Sequence, residues 1–222
     1  MARSGPSSRL AGGGAGRSAE TRKLLVDAAI ETLRAEGFAG ASARAIAARA
    51  GCNQALVFYH FGSVASLLLA ALDAVSAARL ARYGAAVERA ASPAELVEVA
   101  AAIFAEDIEA GHVTVLVEMI AGAASTPGLG AEVAARIAPW RDFARKAIDS
   151  VVGRTPLASL LPSGELAHGA VALYLGLELL SHLDGDRAAA LSLFERAKQV
   201  APLVEVLGLA PSSPDDPPQE AK

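Results

Sequence analysis

ARAIAARAGCNQALVFYH, residues Ala43 to His60, has the spacing of two short helices joined by a tight turn. Two such helices cross closely only where a small residue sits at their contact, and Ala47 meets that need. The turn requires a residue tolerant of positive φ, which Gly51 supplies because it has no Cβ to clash. Ile46, Ala50, Cys52 and Val57 are the apolar residues available to pin both helices to a third. The second helix then starts with Asn53 and Gln54, short polar side chains free to meet base edges in a DNA groove. Ala47, Gly51 four residues on and Val57 six further have the spacing of a helix-turn-helix. Alanine abounds in this chain, so the spacing alone also suits a plain helical hairpin.

The flanks extend the helical pattern. Upstream, Leu24, Leu25, Ala28, Ala29 and Leu33 recur at helical spacing, with Arg22, Lys23, Asp27, Glu31 and Arg34 opposite. Gly37 ends that helix. Ser42 is an N-cap for a helix over Ala43 to Ala50, and a third short helix spans about Gln54 to Tyr59. Downstream, Ser92-Pro93-Ala94-Glu95 is a capping box with proline at the first helical position. Thr126-Pro127-Gly128 is a break, and Pro139 is expected to kink or split a helix. Gly153 to Gly164 reads as a loop, and Leu183-Asp184-Gly185-Asp186 separates the last two long helices. No run of alternating β-branched residues occurs, so the expected fold is all-α. The expected organisation is a flexible N-terminal arm over 1–19, a three-helix helix-turn-helix domain over 20–66, a helical bundle over 67–210 and a disordered tail over 211–222.

Hydrophobic residues make up 53% of the 222 residues and charged residues 20%, ample for a buried core. The net charge is −4, but residues 1–66 carry +4, leaving −8 on the remainder. A basic head on an acidic body suggests that the head meets an anion. The mean hydropathy of +0.36 raises the question of membrane spans. The most apolar stretch, Leu166 to Leu183, is at the short end of a span and contains His168, Glu178 and His182. Val113 to Ala124 is shorter still and holds Glu118. Both read as buried helices, and no membrane partner is expected. The start carries Arg3, Arg9 and Arg17 in a Gly/Ser-rich context without an apolar segment, so a cytoplasmic location is expected. The single cysteine, Cys52, permits no intrachain disulfide and reads as a small core residue rather than a redox switch. There is no Gly-rich phosphate loop, nucleophile elbow or paired-carboxylate face. Neither enzymatic activity nor a cofactor is expected.

The wider segment Thr21 to Leu68 resembles the TetR family of transcriptional regulators. The resemblance rests on TRKLLVDAAIETLRAEG, on Phe38, on SARAIAARAGCNQALVFYHF, and on a Ser-started helix ending in Leu67-Leu68. Phe58-Tyr59-His60-Phe61 is its most specific piece, and the match covers roughly the first third of the chain. It implies a DNA-binding, homodimeric regulator, most simply a repressor released from a palindromic operator by a small apolar molecule. Asn53 and Gln54 are then expected at the bases. Arg22, Lys23, Ser42, Arg44 and His60 are expected at phosphates, with Arg17 and Tyr59 beside them. Arg3, Arg9 and Arg17 enter a minor groove or form a solvated tail. Three residues depart from the family pattern: Phe58 where tyrosine is usual, Val64 where lysine is usual, and Cys52 where valine is common. The first two remove phosphate-contacting groups and leave open a second reading, a helical small-molecule-binding protein with weak or lost DNA binding.

In the family the second domain is a helical bundle with an internal ligand cavity and a dimer face. The corresponding ligand-binding candidates are Phe104, Glu118, Met119, Trp140, Phe143, Tyr174 and Glu178, with Trp140 foremost because it adjoins Pro139. Plain core packing is the competing reading for each. His168, Leu175, Glu178 and His182 share one helix face, which suits pocket recognition, a buried polar pair across a dimer or a cation. No third ligand has fixed spacing, so no metal is expected. Segments 166–183 and 187–207 resemble the pair of helices that forms the family's dimer interface. Val171, Leu175, Leu179, Leu191, Phe194, Val200, Leu203 and Leu207 supply the apolar stripes, with Leu191 and Phe194 expected at or near the interface.

Overall fold

The computed structural model describes residues 12–153 and 162–208. Among the described residues the regular structure is entirely helical. The helices are α1 (Gly12–Gly40), α2 (Ala43–Arg49), α3 (Ala55–Phe61), α4 (Val64–Arg89), α5 (Pro93–Ala110), α6 (His112–Ala123), α7 (Leu129–Val152), α8 (Ser163–Asp184) and α9 (Ala188–Gly208).

The local signals act where the residue chemistry placed them. Gly37 has φ 70° and ψ −178°, a conformation open essentially to glycine alone, and it interrupts α1. The Ala45 N–H donates to Ser42 Oγ at 3.1 Å, so Ser42 caps α2. Gly51 takes φ +66° in the turn. The Glu95 N–H donates to Ser92 Oγ at 3.2 Å, and Glu95 Oε2 accepts from the Ala91 N–H at 2.8 Å. The reciprocal bond of the capping box therefore falls one residue before the cap.

Other expectations are revised. Residues 12–19, placed in a flexible arm, belong to α1 although four of them are glycines; they extend a helix whose nucleus lies downstream. Residues 1–11 lie outside the described part, as do 209–222 and therefore the expected tail. Pro139 does not split its helix: α7 runs through it from Leu129 to Val152. The expected loop at 153–164 is shorter at its far end, because Ser163 and Gly164 begin α8; residues 154–161 lie outside the description. By length and composition α4 and α8 are both apolar enough to cross a bilayer. In α4 that composition serves a core, since Leu67, Leu68, Ala71 and Leu72 are buried.

The chain divides into two compact units, Met1–Arg82 with Asp107–Ala138, and Tyr83–Glu106 with Pro139–Lys222. The expected division at residues 66 and 67 instead falls inside α4. The first unit has a core of Leu25, Ala29 and Leu33 from α1, Ile46 and Ala47 from α2, Val57 from α3 and Leu67 and Leu68 from α4. Val115 and Met119 of α6 and Leu129 and Val133 of α7 complete it. Burying each of the large aliphatic side chains contributes about 1.5–3 kcal/mol. Helix α6 is joined to α1 at three positions on one face. Arg34 Nε donates to the Gly111 carbonyl at 3.3 Å, and the Phe38 N–H donates to Glu118 Oε2 at 2.7 Å. At Gly122 any Cβ would collide with the Phe38 ring.

The second unit packs Tyr83, Val87 and Ile103 with Leu96, Val99, Phe143, Ala147 and Tyr174. Phe104 is fully buried, with its ring centroid 5.7 Å from that of Tyr174 and 5.2 Å from that of Phe194.

Candidate nucleic-acid interface

Helix α3 is anchored by Val57, which is fully buried, while Leu56 and Phe61 pack partly against the same core. Ala47 is buried, and Cys52 packs at the core edge as a small apolar residue. The opposite side of α3 is left to solvent: Ala55, Phe58, Tyr59 and Gly62 are exposed. Tyr59 is 79% exposed and Phe58 52%.

Asn53 and Gln54 precede this face and are both exposed. Asn53 also has a structural task, because its Oδ1 accepts from the Ala55 N–H at 2.8 Å and satisfies a donor at the start of α3. Its amide NH₂ is the end that can point outward. Gln54 makes no cap bond with its side chain. Ser42 is exposed and uses its oxygen as the α2 cap, which leaves its hydroxyl hydrogen to donate.

The basic residues differ among themselves. Arg44 is exposed on α2. The Arg22 guanidinium lies 4.8 Å from the centroid of Phe61, a cation–π contact that holds α1 beside the end of α3. Lys23 Nζ donates to Asp27 Oδ2 at 2.6 Å across one exposed helical turn. Exposed pairs of this kind contribute little, so a phosphate can compete for Lys23. His60 is half-buried, edge-on to Tyr59 with centroids 4.9 Å apart. Arg17 is exposed on α1, and Arg3 and Arg9 lie outside the described residues. Val64, the missing lysine, packs partly against the core.

The seven ligand-binding candidates fall into different units. Glu118 and Met119 belong to the first, where Met119 is fully buried in the core and Glu118 holds the Phe38 N–H. Phe104, Trp140, Phe143, Tyr174 and Glu178 belong to the second. There Trp140 and Phe143 form an edge-to-face pair with centroids 5.9 Å apart. Glu178 is 2% exposed, whereas His168 and His182 are exposed, so the polar face expected on α8 is not a single buried set. Among the described residues no group of three or more His, Cys, Asp or Glu is arranged to hold a metal ion. A cavity of about 280 Å³ in the second unit is lined by Ile148, Asp149, Val152, Pro162 and Leu166, and none of the expected residues borders it.

Two features had no local sequence signal. Arg79 of α4 and Asp107 of α5 form a buried two-pronged ion pair, with Arg79 Nε donating to Asp107 Oδ1 at 2.8 Å. His112 Nδ1 lies 3.1 Å from the same oxygen. The pair spans 28 residues of sequence, so no helical period connects its partners. On α8 and α9, Val171, Leu175, Leu191 and Phe194 are half-buried, and Phe194 packs inward on Phe104. Leu173, Leu180, Leu183 and Leu193 are the exposed residues, together with Leu179, Val200 and Leu203. The exposed stripe thus shares Leu179, Val200 and Leu203 with the expected one and adds Leu173, Leu180, Leu183 and Leu193, and the Leu207 side chain lies outside the description.

Residues 25–71 match the sequence model of the bacterial regulatory proteins of the tetR family. No curated protein sequence matches the chain. Among solved structures, a TetR-family member from Streptomyces coelicolor A3 is 28% identical, with a TM-score of 0.61, covering 80% of this chain and 98% of that one. A TetR-family transcriptional regulator from Cytophaga hutchinsonii is 16% identical, with a TM-score of 0.68 over 88% of this chain and 98% of that one. The multidrug binding protein EbrR, complexed with imidazole, is 24% identical, with a TM-score of 0.59 over 87% and 98%. The capped helix pair with an exposed face, the matched head and the all-helical remainder agree: residues 25–71 form a head of the tetR type, and the chain shares the helical fold of TetR-family structures.

Proposed function

We propose that this regulator is a cytoplasmic homodimer that represses transcription from a palindromic operator and is released by a small, mostly apolar effector. The observation that carries the reading is the exposed α3 face on a packed head that also exposes Arg22, Ser42 and Arg44. Asn53 and Gln54 meet bases, while Arg22, Lys23, Ser42, Arg44, Tyr59 and His60 meet phosphates. Two such heads about one DNA turn apart, ~34 Å, read a palindrome. The exposed leucines of α8 and α9, Leu183 at 71% among them, support a second copy of the chain as partner.

The effector binds in the second unit near Trp140. It acts by changing the separation of the two recognition helices, which the DNA helix repeat does not tolerate. A coupling of about 1–3 kcal/mol changes operator affinity 5–150-fold. The likeness to a multidrug binding protein supports a small-molecule effector. Selection of bound duplexes from a genomic library, followed by a screen for compounds that release them, tests the reading. Thermodynamic reciprocity gives the decisive number: operator DNA must weaken the effector by the same factor. A saturable effector with equal affinity in the presence and absence of operator refutes release as the mechanism.

A further inference from the structure

We propose that the outward face of α3 reads thymine methyl groups through Ala55 and Phe58; this rests on the DNA-binding reading above. Val57 fixes the inward side of α3. At 3.6 residues per turn the opposite side carries Ala55, Tyr59 and Gly62, with Phe58 at its flank. All four are exposed, and Ala55 and Phe58, three residues apart, are neighbours on the helix surface. Among their side chains only the Tyr59 hydroxyl can form a hydrogen bond. Asn53 has already committed its Oδ1 to the Ala55 N–H.

The segment from Asn53 to Gly62 contains neither arginine nor lysine, so α3 lacks the side chains that pair with guanine O6 and N7 in the major groove. What remains for base readout is the Gln54 amide, suited to adenine, the Asn53 NH₂ and an apolar surface. A phenyl ring that is 52% exposed has no role in the core, since Val57, Leu56 and Phe61 fill the inward positions. The apolar group that the major groove offers to such a ring is the thymine C5-methyl. Arg22, over the Phe61 ring at the end of α3, and Arg44, exposed on α2, match the charge of the DNA backbone. The operator segment under α3 is therefore rich in A·T pairs and recognised by methyl contact.

The full chain is used to select duplexes from a random-sequence pool, and each thymine of the selected half-site is replaced in turn by deoxyuridine. That change removes only the methyl group and leaves the pairing intact. Affinity is expected to fall about four-fold at each position covered by Ala55 or Phe58. Phe58→Ala, with an unchanged thermal midpoint, is expected to abolish the loss at one of these positions. An operator bound equally well with deoxyuridine throughout overturns the inference alone. Full methyl dependence in Phe58→Ala overturns the assignment to Phe58. Failure to select any duplex overturns the DNA-binding reading and the methyl inference with it.

Discussion

Glu118 is the one carboxylate on a mostly apolar helix, and the structure gives it a task that mutation can isolate. Its Oε2 accepts the Phe38 N–H at 2.7 Å, immediately after the Gly37 interruption of α1. Hydrogen bonds to charged groups contribute about 1.5–3 kcal/mol, and removing the acceptor orphans a part-buried amide. Glu118→Ala is therefore expected to lower the melting temperature by roughly 3–12 °C for a chain of this size. Glu118→Gln keeps a carbonyl acceptor without the charge and is expected to recover about half of the loss. Gly37→Ala forces an alanine into φ +70° and sets its Cβ 2.8 Å from Glu118 Oε2. The backbone strain alone costs about 1–3 kcal/mol. Because Glu118→Ala removes the obstructing carboxylate, the double variant is expected to lose less than the sum of the two single losses. Calorimetric melting of the four proteins without effector supplies the cycle. Stability of Glu118→Ala within about 0.5 kcal/mol of the parent, with effector binding abolished, would refute this account and return Glu118 to the ligand site.

Four further outcomes are expected. Asp107→Ala leaves the Arg79 charge buried and is expected to cost about 3–5 kcal/mol in urea unfolding, whereas Lys23→Ala costs under about 1 kcal/mol. Arg44→Ala is expected to reduce the slope of log affinity against log salt by about one unit, measured by fluorescence anisotropy on the selected operator. Asn53→Ala is expected to weaken operator binding and to lower stability by about 1 kcal/mol, because it removes both an outward amide and the cap at the start of α3. Leu183→Glu places a charge in the exposed apolar stripe and is expected to shift sedimentation from dimer to monomer at micromolar concentration, with helical content unchanged.

The head was legible in the sequence because its signals are local. Gly37, Ser42, Gly51 and the capping box at Ser92 act on backbone groups within four residues of themselves, so residue type and spacing suffice to locate them. Val57, Ala47 and Leu33 likewise follow from helical period alone, since one helix has one inward stripe. The partnerships of polar side chains were not legible. Glu118 had the composition of a pocket residue, but its partner is a backbone N–H 80 positions earlier in the chain. Arg79 and Asp107 lie on different helices and gain their meaning from burial beside each other. The leucines of α8 and α9 presented more than one plausible stripe, and packing of Phe194 on Phe104 determined which was turned outward. Periodicity determines which residues share a face of a helix. What that face meets depends on helices far apart in sequence, and is decided only when the chain packs.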